Sequence, residues 1–206
     1  MRTAIAALLG LALAGAGSSA AFAGPQFNTP LGVDTGTPTV FNLPLVLDGT
    51  DWLAGRIDFG QGAELQSIQA YLDDQGSAGS FTVALYDDSL THLPGNLLAS
   101  WSAAFTTASG SPGWNGVTGL HQQVDAGTYW VALEVQGSDT FAGVAPLAPP
   151  RPLTGYAYNA GGFEGYQAMP MAFGLQVSAV PEPDTDALLL AGLVVLAAGA
   201  RRKART

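Results

Sequence analysis

Between residues 24 and 180 this 206-residue chain carries thirteen acidic side chains, two imidazoles and four indoles, and it has no cysteine anywhere. Their types and spacing limit the chemistry that they could perform. Asp73-Asp74 and Asp87-Asp88 are acidic doublets closing two consecutive alternating segments, and clustered carboxylate oxygens are what calcium takes. They are therefore candidate ligands of a structural calcium ion, the only cofactor the residues suggest. A hairpin would place the two doublets at opposite ends, however, and the spacing of an EF-hand loop is absent. Aromatic rings suggest a second chemistry, because sugar C–H faces stack on rings while acids and amides take the hydroxyls. Trp130 and Tyr86 fall on the side of their segments away from the apolar residues; with Trp52 and Trp114 they are the candidate glycan-binding residues. Further rings lie at Trp101, Tyr156, Tyr158, Phe163 and Tyr166. Nucleophilic catalysis requires a hydroxyl beside a base that is itself held in place. Only His92 and His121 could be that base, and no G-x-S-x-G turn occurs. With this many acids a close carboxylate pair is unavoidable, so its presence alone does not indicate glycoside hydrolysis. No catalytic residue is assigned, and the chain is expected not to be an enzyme.

Strands must position these groups. Gly, Pro, Ser and Thr punctuate the sequence every eight to twelve residues, and the intervening segments alternate with period two. The clearest case sets Tyr129, Val131, Leu133 and Val135 against Trp130, Ala132, Glu134 and Gln136. Others run over 39–47, 52–59, 66–72, 80–87, 97–105, 116–124, 155–159 and 171–179. Helical periodicity is absent from 24–180, and nine or ten strands at this spacing predict an all-β fold, an antiparallel β-sandwich of jelly-roll or immunoglobulin-like type. Longer loops are expected at 106–114 and at 145–152, the second as an extended proline-rich surface segment.

The charge is one-sided. Residues 24–180 hold two basic side chains, Arg56 and Arg151, against thirteen acidic ones, a net charge of −11 with no lysine. Such a surface repels phosphate backbones, which argues against nucleic acid as a partner. The absence of cysteine excludes disulfides and thiolate chemistry, so a core built from these 157 residues must supply the stability.

Both ends are set apart from this body. Met1-Arg2, an apolar run over 4–16 and Ala21-Phe22-Ala23 before Gly24 make a signal peptide over residues 1–23, for cleavage by signal peptidase after Ala23. The domain is then 24–179. Residues 180–206 open with Val180, Pro181, Glu182 and Pro183, continue with an apolar run over 187–200, and finish with the basic cluster Arg201, Arg202, Lys203 and Arg205. As a helix the run spans roughly 21 Å, short of the roughly 30 Å of a bilayer core. The cations should stay cytoplasmic, leaving the proline-flanked glutamate extended on the outer face. This tail therefore suits transient insertion in the inner membrane better than permanent anchorage.

The triplet, the apolar run and the basic end resemble, in order and position, the PEP-CTERM sorting signal of exported Gram-negative bacterial proteins. The resemblance implies cleavage near the triplet by an exosortase, delivery to the cell envelope, surface or extracellular matrix, and an association with exopolysaccharide and biofilm. A second stretch, 66–135, looks like the extracellular choice-of-anchor β-sandwich domains. It includes Ser80-Phe81-Thr82-Val83-Ala84-Leu85-Tyr86, Leu93-Pro94-Gly95-Asn96-Leu97-Leu98-Ala99 and Ala126-Gly127-Thr128-Tyr129-Trp130-Val131; such domains carry no established activity. The expected function is a non-enzymatic surface or matrix protein. The alternative is a carbohydrate-binding module working through exposed aromatic rings.

Overall fold

The computed structural model describes residues 32–181 other than 77, 108–109 and 161–164. The expected signal peptide with Ala21, Ala23 and Gly24, the rest of the triplet (Glu182 and Pro183), the apolar run 187–200 and the basic cluster at Arg201, Arg202, Lys203 and Arg205 lie outside the described residues. No described helix is long and apolar enough to cross a membrane.

The described chain is all-β: β1 (Gly32–Asp34), β2 (Val40–Leu47), β3 (Asp51–Phe59), β4 (Ala63–Leu72), β5 (Ser80–Asp88), β6 (Pro94–Ala104), β7 (Gly113–Val124), β8 (Gly127–Glu134), β9 (Gly143–Leu147), β10 (Tyr156–Ala160), β11 (Gln167–Ala168) and β12 (Leu175–Pro181). A small sheet runs β1-β12-β4-β7, a large one runs β11-β10-β3-β8-β5-β6, and β2 pairs with β9. Every named pairing is antiparallel.

Alternation explains the packing. In β4 the side chains of Ala63, Leu65, Ile68, Ala70 and Leu72 turn inward and are buried. Leu53, Ile57 and Phe59 of β3 and Val131 and Leu133 of β8 meet them from the large sheet. Phe141, fully buried, stacks on Phe105 at 5.7 Å between ring centres and tilts against Phe81 at 5.5 Å, filling one end of the core. Each such side chain contributes about 1.5–3 kcal/mol on burial, which is how a domain without disulfides reaches net stability.

The proline-rich segment departs from expectation. Residues 145–147 of the expected loop 145–152 belong instead to strand β9 (Gly143–Leu147), which is buried at Gly143, Val144, Ala145 and Pro146 and paired with β2. The pairing accommodates its prolines through an irregularity. Val40 faces Leu147 and Leu45 faces Ala145, so Pro44 and Pro146 both fall within the break in register, where a missing N–H costs the ladder nothing. Beyond β9 the expected extended surface course does not hold either: Ala148 has a φ of 62°, the chain bends at Pro150 and Arg151, and Pro149 is buried.

Candidate functional site

The outer face of the large sheet gathers most of the polar and aromatic groups, and register shows how. Ala157, Ala54, Ala132 and Ala84 sit opposite one another on β10, β3, β8 and β5, forming a transverse row of small side chains. One pair of rungs towards the Phe59 end, Arg56, Trp130 and Tyr86 form a parallel row. On the other side lies Glu134, level with Thr82. The alanines are fully covered because large side chains close over them. The Tyr86 hydroxyl donates to Glu134 Oε1 at 2.7 Å, and the Tyr166 hydroxyl donates to the same oxygen at 2.7 Å. The two phenol rings meet edge to face, 6.0 Å between centres. Gln136 Nε2 donates to Glu134 Oε2 at 2.9 Å. Glu134 is only 1% exposed, and three hydrogen bonds compensate its burial. Burial is the main reason both phenols titrate well above the usual value; the hydrogen bond to Glu134 and the Glu134 charge push the same way.

Trp130 lies under a roof. Gly155 runs so close that a Cβ there would come within 3.3 Å of Arg56 side-chain carbons and 3.4 Å of Trp130 Cη2, and its carbonyl accepts from Arg56 N at 2.9 Å. Leu93 packs on the same cluster. The outcome is a 2%-exposed indole whose Nε1 donates to Asp88 Oδ1 at 2.8 Å. Trp130 and Tyr86 do share the outer face, as alternation places them, but Trp130 presents no open ring face to a sugar.

Asp88 is the hub of this end. His92 Nδ1 lies 2.8 Å from its Oδ2 and Arg56 Nη2 lies 3.9 Å away. Burial alone would raise its pKa, but the hydrogen bonds from His92 and Trp130 and the charges of Arg56 and His92 outweigh it, so the carboxyl titrates below its ordinary 3.8. A depressed carboxylate stabilises the fold above its unfolded pKa and loses that contribution as pH falls through the lower folded value. Acid unfolding followed by circular dichroism should therefore steepen below about pH 4. Asp88→Asn should start less stable at pH 7 and flatten that acid limb.

The acidic doublets are kept apart. The chain passes from β4 in the small sheet to β5 in the large one, so Asp73-Asp74 and Asp87-Asp88 end strands of different sheets. Each is occupied locally: Asp73 Oδ1 accepts from Gln75 N at 2.9 Å, Asp74 Oδ1 from Gly76 N at 3.0 Å and Gly110 N at 2.6 Å, and Asp87 Oδ2 from Asn96 Nδ2 at 2.9 Å. Among the described residues no three His, Cys, Asp or Glu side chains come together as a metal site.

The remaining aromatic candidates diverge. Trp114 packs edge-on against Tyr71 across the β4–β7 pair, 5.4 Å between centres. Trp52, whose Nε1 donates to the Val135 carbonyl at 3.2 Å, is the candidate that lines an open groove. That groove, of about 410 Å³, lies at the Asp51 end of β3 among Pro44, Val46, Tyr158, Met169 and Met171. A second, more polar cleft of about 510 Å³ separates the edges of β6 and β7, with Trp101, Ser102, Thr118, His121 and Gln122 along it. His121 Nδ1 is 2.9 Å from Glu64 Oε1, and Gln123 Nε2 donates to Glu64 Oε2 at 2.9 Å. The indispensable members of the outer-face cluster, Glu134 and Tyr166, went unassigned in the sequence. Glu134 had a signal, since alternation puts it on the same face as Trp130, whereas Tyr166, noted only as a further ring, reaches the cluster from outside the large sheet's central strands.

The last feature is where the chain leaves the body. In β12, Leu175 and Val177 are fully buried, and after a register irregularity Ala179 faces Leu65, Val180 faces Glu64 and Pro181 faces Ala63. Val180 and Pro181 are exposed on their outer side while their backbone lies along β4. This is the end of the sandwich that carries the turns after Phe59 and after Val124, at the far end of β3 from the Trp52 groove.

No curated protein matches the chain. Residues 179–203 match the family model described as the PEP-CTERM protein-sorting motif, which implies export to the cell envelope or surface of a Gram-negative bacterium and an exosortase as processing partner. The chain is thus an antiparallel β-sandwich that carries a PEP-CTERM protein-sorting motif, with the first residues of the motif serving as the last rungs of the small sheet.

Proposed function

We propose that this protein is a non-enzymatic component of an exopolysaccharide-containing extracellular matrix, delivered through the inner membrane and cut free by an exosortase. The observation that carries the reading is the sorting motif at 179–203, attached directly to β12. Two features of the body support it. The acidic doublets take hydrogen bonds from backbone N–H groups, and the buried polar cluster around Glu134 is closed over by tyrosines. The net charge of −11 over 24–180 suits a soluble partner of a hydrated matrix. Intact mass of the protein recovered from the native cell surface tests the reading. The expected species lacks Arg201, Arg202, Lys203 and Arg205, and a surface species that retains them overturns it.

A second reading, carbohydrate binding, is favoured by one observation: the Trp52 groove, with Tyr158 beside it, lies at the end of β3 away from the exit of the tail. A domain tethered through Pro181 would present that groove outward. Glycan-array binding of the processed protein supports this reading, and silence across neutral and acidic polysaccharides removes it.

A further inference from the structure

We infer that the exosortase cuts this protein on the C-terminal side of Pro181 while β12 remains zipped to β4, so that the sheet itself sets how far upstream the enzyme can reach. The inference rests on the exosortase reading above and adds to it the state of the substrate and the boundary of the cut.

Three observations carry it. The motif begins at 179, yet Ala179, Val180 and Pro181 already face Leu65, Glu64 and Ala63 as strand partners. A protease takes its substrate as an extended segment and must surround that segment's backbone, and here one side of the backbone belongs to β4. Peeling would not stop cheaply, because Val177 and Leu175, one and two inward-facing positions upstream of Ala179, are fully buried. Finally, only five residues, 182–186, separate the end of β12 from the apolar run. Fully extended they reach about 18 Å at most, so a membrane enzyme works close under the folded domain. In the cut, the amide C–N bond breaks, the carbonyl carbon bonds to the oxygen of water or the nitrogen of an acceptor amine, and the leaving amine takes up the proton that this nucleophile loses. All of this happens outside the hydrogen-bonded strand, and the released domain keeps every rung of β12.

A cross-link tests the point. The chain has no cysteine, so Glu64→Cys with Val180→Cys introduces a single possible disulfide in an oxidising compartment. Directly opposed strand residues have Cα atoms about 4.5–5.5 Å apart, within the range a disulfide spans. The full chain is expressed in its native host, and product masses are read for wild type, the double variant and Val180→Cys alone. The expected result is that the cross-linked protein is processed as fully as wild type and that the wild-type product ends at Pro181 or later. The inference is overturned if the cross-linked form accumulates uncut while Val180→Cys is cut. It is equally overturned if the wild-type product ends at Val180 or earlier, a measurement that does not depend on the cross-link forming. If wild type is never cut, the exosortase reading fails and this inference falls with it, a result distinct from the other two.

Discussion

Glu134→Ala is expected to lower the thermal midpoint by roughly 10 °C. The change removes the acceptor of two phenol hydroxyls and of Gln136 Nε2, and an abandoned buried donor costs about 1–3 kcal/mol. Tyr86 and Tyr166 are both partly buried, so water can satisfy some of what they lose, and the rest of the loss comes from the space left beneath the two rings. A total of about 3 kcal/mol is reasonable, and for a domain of this size each kcal/mol moves the midpoint by about 2–4 °C. The loss should exceed that of removing a comparable surface carboxylate, because the tyrosines also seal the fully buried row Ala54, Ala84, Ala132 and Ala157. Glu134→Gln keeps a carbonyl oxygen where Oε1 stood and should cost markedly less, so the pair separates loss of the acceptor from loss of charge. A spectroscopic readout accompanies the melt. Burial chiefly, and then Glu134, hold the Tyr86 and Tyr166 phenols above their usual value, so in Glu134→Ala both should ionise at lower pH in an ultraviolet titration. An alanine variant that melts with wild type and titrates unchanged would show that the tyrosines are held by packing alone.

The same cluster marks the limit of what period-two alternation can reveal. Alternation correctly divided β8 into an inward face at Tyr129, Val131 and Leu133 and an outward face at Trp130, Ala132 and Glu134, and the antiparallel sandwich followed from repeating that pattern. Facing outward and being exposed are different properties, however. Whether Trp130 meets solvent depends on Gly155 and Leu93, neither local to it in sequence. Strand β9 was hidden for a related reason. Its Pro146, with the prolines that follow it, reads as a loop, and the matching irregularity in β2, with Pro44 in the same break, makes a proline-bearing pair possible. The acidic doublets were legible as strand ends, but their separation reflects a crossing between sheets that no local pattern encodes. The sorting motif was the most legible part because all its chemistry is contiguous: proline-restricted backbone, apolar length and terminal charge occur within 27 residues.

Because those three parts act by different physics, damage to each should produce a different fate. Exchanging Arg201, Arg202, Lys203 and Arg205 for serine removes cations that are worth about 1 kcal/mol each beside an anionic leaflet, about 4 kcal/mol in all. The apolar run, at roughly 21 Å as a helix, has little else to arrest it in lipid. This variant should pass through the inner membrane and be found as a soluble exported species whose mass still includes residues 187–206. Replacing Glu182 and Pro183 by alanine leaves the stop intact and removes the part of the triplet that, on the proposed reading, the enzyme recognises. That variant should also keep its full mass, but in the membrane fraction. Both lose processing almost completely, so cleavage alone cannot tell them apart, whereas fractionation can. If the basic-cluster variant is instead cut normally, the cations do not hold the run in place, and the apolar segment must be retained by the enzyme itself. If the triplet variant is cut normally, recognition lies in the run and its charges, and Pro181 matters only as the last rung of β12. A third substitution then separates the remaining roles: Val177→Ala weakens the strand beneath the motif without touching the tail, and should lower the melting midpoint while processing proceeds unchanged.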